Sequence, residues 1–274
     1  MAKLIVQRVE SLDLPELLPY RTMRFQQQHR LQQIFVTEGD KVARRLLESH
    51  FGVVSLLLPP KWVEVFEPLI EQRPEEEIRA YVAEKKLLET LVGFPMYQGV
   101  LGIGRIPPPE SLEALLARLP RPLLLAAIDG LSNAENVGVV TRNCAALNAH
   151  ALITSPASSS PFLRRSVRSS MGAIFRLPVA EMPDLASALT LLRRQGIRCV
   201  AAHPHADRLR LSQCDLRGDC CLVFGNEGAG ISPAVLAQCD QWAAIPMPKG
   251  IDSLNVNTAA AAFLYEASRQ RGLV

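Results

Sequence analysis

The chain has 274 residues, 48% hydrophobic and 21% charged, with a formal net charge of +3. At about 150 residues per domain this length suggests two domains, and the composition excludes a disordered or low-complexity chain. No apolar run reaches the ~18 residues of a membrane helix, and Gln7, Arg8 and Glu10 come too early for a signal peptide, so a cytoplasmic protein is expected.

The 30 basic residues include 24 arginines. Arginine grips phosphate with a planar pair of donors and stacks on bases. Two clusters, Arg21, Arg24, His29, Arg30 and Arg164, Arg165, Arg168, Arg176, are therefore candidate phosphate contacts, although solvated faces of an arginine-rich chain explain either one equally well. Cys144, Cys199, Cys214, Cys220, Cys221 and Cys239 form no C-x-x-C pair and sit among apolar residues. Buried reduced thiols are expected, with no metal site and no disulfide framework.

From the N-terminus, Ile34-Phe35-Val36 predicts a strand, Glu38-Gly39-Asp40 a turn and helix start, and residues 42–47 a helix. The apolar run 53–58, closed by Pro59-Pro60, predicts a strand buried on both faces. Residues 61–72 and 80–92 read as helices and 98–106 as a last strand, giving a small α/β domain over 1–105. Pro107-Pro108-Pro109 lacks backbone donors and predicts a linker over 106–122, with a short helix at 111–119. Beyond it, strands are expected at 123–128, 151–154, 197–202, 220–224 and 242–245, and helices at 136–147, 185–195, 233–238 and 254–271. This alternation predicts an α/β domain over 123–274 with a mostly parallel sheet and helices on both faces.

In such a sheet ligands gather at the carboxyl ends of the strands, and three polar segments fall there. The first, Asp129 to Asn143, contains Asn136-x-Gly138-x-x-x-Arg142 at a helix start. A mid-helix glycine costs about 1 kcal/mol relative to alanine and permits close approach by backbone or ligand. Taken alone, the segment reads slightly better as a packed helix with Arg142 in an ion pair. The second, Phe224-Gly225-Asn226-Glu227-Gly228-Ala229-Gly230-Ile231-Ser232, puts three glycines after a buried strand. It is neither a Walker A loop nor G-x-G-x-x-G, which leaves another kind of cofactor loop or a tight turn. The third, Ile245 to Asn257, enters the last helix, where Asp252 or Ser253 could cap it. Capping needs one polar group, yet Ser253, Asn255 and Asn257 offer three.

The order of these motifs, N-x-G-x-x-x-R, then FGNEGAGIS, then IPMPKGIDSLNVN, resembles the SpoU (TrmH) family of RNA 2′-O-ribose methyltransferases over residues 123–271. The stretch Arg168 to Pro178 is similar to that family's segment between its first two motifs. Phe35 to Asp40 and Gln98-Gly99-Val100 resemble, less closely, the L30e-like RNA-binding domain that many members carry. The chain departs from the family at Asn133-Ala134, often Asp-Pro, and at Asn257, often Ser.

The resemblance implies a C-terminal trefoil knot, a homodimer with its active site between subunits, and S-adenosylmethionine as cofactor. The substrate it implies is ribosomal or transfer RNA. It assigns catalysis to Arg142, Asn136, Glu227, Ser253 and Asn255, with Glu227 holding the glycine turn and in reach of Arg142 or its helix. It maps the cofactor pocket to Ala202, Gly225, Ile245 and Leu254, with no metal and no membrane. A catalytically inactive RNA-binding module of the same fold is the alternative. A dinucleotide-dependent or class I methyltransferase fold is disfavoured, because Gly102-Ile103-Gly104 runs into prolines rather than a helix.

Overall fold

The computed structural model describes residues 2–92, 99–204 and 209–274. In chain order its elements are β1 (Lys3–Arg8), α1 (Leu18–Arg21), α2 (Gln26–Leu31), β2 (Ile34–Glu38), α3 (Asp40–Leu47), β3 (Val53–Leu58), α4 (Val63–Glu71), β4 (Glu77–Val82), α5 (Lys85–Val92) and β5 (Leu101–Arg105). They continue with α6 (Leu112–Arg118), β6 (Leu124–Asp129), α7 (Ala134–Ala146), β7 (Ala151–Thr154), α8 (Arg164–Ser169), β8 (Val179–Glu181), α9 (Leu185–Arg194), β9 (Arg198–Ala202), β10 (Cys220–Gly225), α10 (Pro233–Leu236), β11 (Gln241–Ala243) and α11 (Val256–Gln270). Two compact units result, Met1–Pro108 with Phe162–Phe175, and Pro109–Pro161 with Arg176–Val274. The short segment 162–175, expected within the second domain, therefore belongs to the first unit.

In the first unit a five-stranded sheet runs β1-β4-β3-β5-β2. β1, β4 and β3 are parallel, while β5 is antiparallel to both β3 and β2. Residues 80–82, expected in a helix, pair with Val6–Arg8 on one side and Leu56–Leu58 on the other. Pairing on both edges overrides a weak local helical pattern. The expected strand start at Gln98 lies outside the described residues. Gly104 is explained by packing, since a Cβ there would fall 2.3 Å from Phe35 Cζ. Phe35 in turn sits in a ring cluster with Phe51, Phe162 and Phe175, with centroids 5.4–6.1 Å apart in the closest pairs. These aromatic contacts draw 162–175 into this unit. Glu38, 9% exposed, pairs with both Arg164 and Arg168. Two arginines of the second cluster thus serve an internal carboxylate. In the first cluster His29 is buried against Thr22, 3.3 Å from its hydroxyl, whereas Arg21, Arg24 and Arg30 are exposed.

The second unit holds an all-parallel six-stranded sheet in the order β11-β9-β10-β6-β7-β8. Its strands read as near-continuous apolar runs because both faces are covered. Leu124, Ala126, Ile128 and Phe224 face Val137, Val140, Phe263 and Leu264 of α7 and α11. Leu125, Ala127 and Val223 face Leu115, Leu189 and Val235 of α6, α9 and α10. All six cysteines are free thiols, and burial pushes Cys144, Cys199 and Cys239 up to about 12, so none is a ready nucleophile. Among the described residues no helix is long and apolar enough to cross a membrane.

Candidate active site

β6 begins the second sheet at its middle. The chain builds outward through β7 and β8, then returns to place β10 beside β6 and β9 beyond it. Loops diverge at this reversal and leave a crevice at the carboxyl ends. All three polar segments meet there.

The glycine turn closes on itself. Asn226 and Gly230 exchange backbone hydrogen bonds of 2.9 and 3.0 Å. Asn226 Oδ1 accepts from the Gly228 and Ala229 amides at 2.9 Å, and its Nδ2 donates to the Gly130 carbonyl at 2.7 Å. Asp129 Oδ2 accepts from the Ser232 amide at 2.8 Å. Asn226, not the expected Glu227, therefore holds this turn, because only its short amide reaches both the turn and the β6 loop. Gly225 is obligatory because the far side of the closed turn packs against its Cα. A Cβ there would lie 2.3 Å from the Gly230 carbonyl carbon and the Ile231 nitrogen.

Glu227 bonds the helix of Arg142, the other contact the resemblance allowed it. Its Oε1 accepts from Asn136 Nδ2 at 2.7 Å. Asn136 Oδ1 accepts from Asn257 Nδ2 at 2.7 Å, and the Asn257 carbonyl accepts from Asn143 Nδ2 at 2.9 Å. Asn257, noted in the sequence as a surplus polar group at the helix start and as a departure from the family, thus sits within the network. Asn133 caps α7 by accepting from the Glu135 and Asn136 amides at 2.8 and 3.3 Å, so helix entry is held without Asp-Pro. The cap of α11 is Asn255, which accepts from the Asn257 amide at 2.9 Å. Asp252 and Ser253, the expected caps, stand free of that task and line a cavity. Arg142 is exposed on α7, and no ion pair among the described residues involves it.

The cavity has a volume of ≈ 390 Å³, inside the range of about 300–1,000 Å³ common for small-molecule pockets. Ala202, Gly225, Ile245 and Leu254 line it together with Glu227 and Ser253. Also present are His203, Met247 and Phe263, which the sequence reading missed. The position of His203 just past a strand's carboxyl end was the available signal. Its ring stacks on Trp242 at 5.2 Å and 21°. Apolar walls, a wrapped glycine turn and a few polar groups suit a ligand with a flat ring and a flexible polar chain.

An all-parallel sheet with a glycine turn and a polar network at its carboxyl end defines a cofactor-dependent α/β domain. Residues 123–265 match the SpoU rRNA Methylase family, and the chain belongs to that family. An uncharacterized tRNA/rRNA methyltransferase of Mycobacterium tuberculosis is 30% identical over 240 residues, covering 86% of this chain and 81% of its own. The 23S rRNA (guanosine-2′-O-)-methyltransferase RlmB of Pectobacterium atrosepticum is 32% identical over 228 residues, covering 78% and 92%. The crystal structure of the SpoU methyltransferase AviRb of Streptomyces viridochromogenes with AdoMet superposes with a TM-score of 0.77 at 26% identity, covering 92% of this chain and 98% of that one.

Proposed function

We propose that the protein transfers a methyl group from S-adenosylmethionine to a ribose 2′-hydroxyl of ribosomal or transfer RNA. The observation that carries this reading is the junction of Asn136 on α7 with Glu227 on the glycine turn, since Glu227 lines the same cavity as Ala202, Gly225, Ile245 and Leu254. Backbone groups of the glycine turn and these apolar walls would hold the cofactor. When bound, it supplies a methyl group already activated by a positive sulfur, which leaves alignment and proton removal to the protein.

Arg142 is assigned to the substrate. Its planar fork suits a hydroxyl and an adjacent phosphate together. Arginine stays charged in water, so it steadies the negative charge that develops as the hydroxyl loses its proton rather than taking the proton itself. Ser253 lines the cavity, Asn255 caps α11 next to it, and Asn136 with Glu227 fixes α7 against the glycine turn.

The test is methyl incorporation from labelled S-adenosylmethionine into RNA, followed by alkaline hydrolysis. A 2′-O-methyl removes the nucleophile that cleaves the adjacent phosphodiester, so the product should resist at single positions. RNA binding without transfer would support the inactive module instead.

The first unit is assigned to RNA selection as an L30e-like domain, in the cytoplasm where such RNA resides. Arg21, Arg24 and Arg30 are exposed there beside Phe25, which is 64% exposed and available for base stacking. Deleting residues 1–105 would strip Phe162 and Phe175 of Phe35 and Phe51, so charge reversal is the sounder probe. Arg21→Glu with Arg30→Glu should weaken RNA binding about tenfold at low salt and flatten its salt dependence, leaving cofactor affinity unchanged. Equal affinity and an equal salt slope in a filter-binding titration would refute the assignment.

The trefoil knot is supported by the path from β11 at the sheet edge back to α11, which packs on α7. A homodimer is supported by α11, which buries Ala260, Phe263, Leu264 and Ala267 in its own core yet leaves Tyr265 53% exposed. Light scattering at micromolar concentration should give about twice the 30.1 kDa chain mass. A fully active monomer would exclude the dimer.

A further inference from the structure

The amide chain across α7 and α11 has a direction. The Glu227 carboxylate can only accept, so Asn136 must turn its NH₂ towards Glu227 Oε1, 2.7 Å away, and its oxygen towards Asn257. Asn257 must then donate, and it does so at 2.7 Å. Its own Oδ1 is left buried without a hydrogen-bond partner among the described residues. An unmatched buried acceptor is unfavourable, and it is the consequence of obeying the polarity that Glu227 sets. Asn257 is itself gripped through its amide by Asn255 Oδ1 at 2.9 Å and through its carbonyl by Asn143 Nδ2 at 2.9 Å. These two contacts hold its backbone in place, and its side-chain amide stays a donor because the atom it meets, Asn136 Oδ1, can only accept.

We propose that Asn257 is a positioning residue: by donating to Asn136 Oδ1 it holds Asn136 in the orientation that Glu227 sets, and so secures the hold of Glu227 on α7, the helix that carries Arg142. This rests on the assignment of Asn136 and Glu227 to the active site made above. A shorter hydroxyl side chain at 257 could donate but would have to span the gap that the amide fills. The chain thus uses a longer donor to tie the start of α11 to α7.

Asn257→Asp tests the direction without changing shape. A carboxylate at 257 accepts only, so Asn136 would rotate its amide and set its oxygen against Glu227. The turnover number kcat should fall about tenfold or more, with KM for RNA and the affinity for S-adenosylmethionine within about twofold, and with the melting temperature retained. Glu227→Gln in the same chain supplies a donor at the other end and restores a complementary chain of reversed polarity. Coupled residues deviate from additivity, so the double variant should keep a kcat at least about fivefold higher than the two single losses multiplied together predict. Additive losses, or an Asn257→Asp enzyme with near-normal kcat, would overturn the proposal. Asn136→Ala separates it from the site assignment. If Asn136→Ala turns over normally, the site reading fails. If Asn136→Ala is impaired and Asn257→Asp is not, only the positioning role fails.

Discussion

Arg142→Ala and Arg142→Lys should both fold, bind S-adenosylmethionine with unchanged affinity, and lose kcat by about 10²-fold or more. That is the scale of removing one well-placed donor from a developing oxyanion. Arg142 is exposed on the third turn of α7 and engages no carboxylate among the described residues, so its loss removes no structural ion pair. The sequence alone left that alternative open. A residue that only needed positive charge would tolerate lysine, but lysine lacks the planar fork that meets hydroxyl and phosphate together. The loss should appear in kcat more than in KM, because the interaction strengthens as negative charge forms on oxygen. Single-turnover methyl transfer at saturating RNA checks this. Near-normal turnover in Arg142→Ala would return the arginine to a surface role.

Gly225→Val should abolish measurable cofactor binding, and Gly225→Ala should already weaken it about tenfold or more. The cause differs from simple blocking of the pocket. The atom that even alanine adds would sit 2.3 Å from the Gly230 carbonyl carbon and the Ile231 nitrogen, both backbone. Backbone cannot swing aside as a long side chain can, so the Asn226–Gly230 hydrogen bonds must open and the turn must move. That turn forms one wall of the ≈ 390 Å³ cavity and carries Glu227 to Asn136. Titration calorimetry on the folded variant, with circular dichroism to confirm the sheet, reads the effect. Undiminished affinity in a folded Gly225→Val protein would remove the glycine turn from the cofactor site.

Much of the second unit was legible in the sequence, because strands buried on both faces must be apolar at every position. Leu124–Asp129, Ala151–Thr154 and Cys220–Gly225 announce themselves as continuous runs wherever the chain places them. The polar segments that follow such strands stand out against them, so the crevice and its candidate residues could be named before their positions were known. Strand β8 (Val179–Glu181) and helix α8 were too short to show a period.

Other features depended on partners far away in the chain. Residues 80–82 become strand because β1 and β3 flank them. Residues 162–175 join the first unit because Phe162 and Phe175 find Phe35 and Phe51. The hold of Asn226 on the glycine turn and the Asn255 cap depend on which short amide reaches which backbone group, a matter of ångströms that residue type does not encode. Asn136 meets Glu227 across 91 residues and Asn257 across 121. Residue identity determined what chemistry was available at the carboxyl end of this sheet. The direction of the hydrogen bonds, and hence which side chain fixes which, was decided only by the packing of α11 on α7, because a donor–acceptor chain takes its polarity from its one charged end and its members from whatever the fold brings within reach.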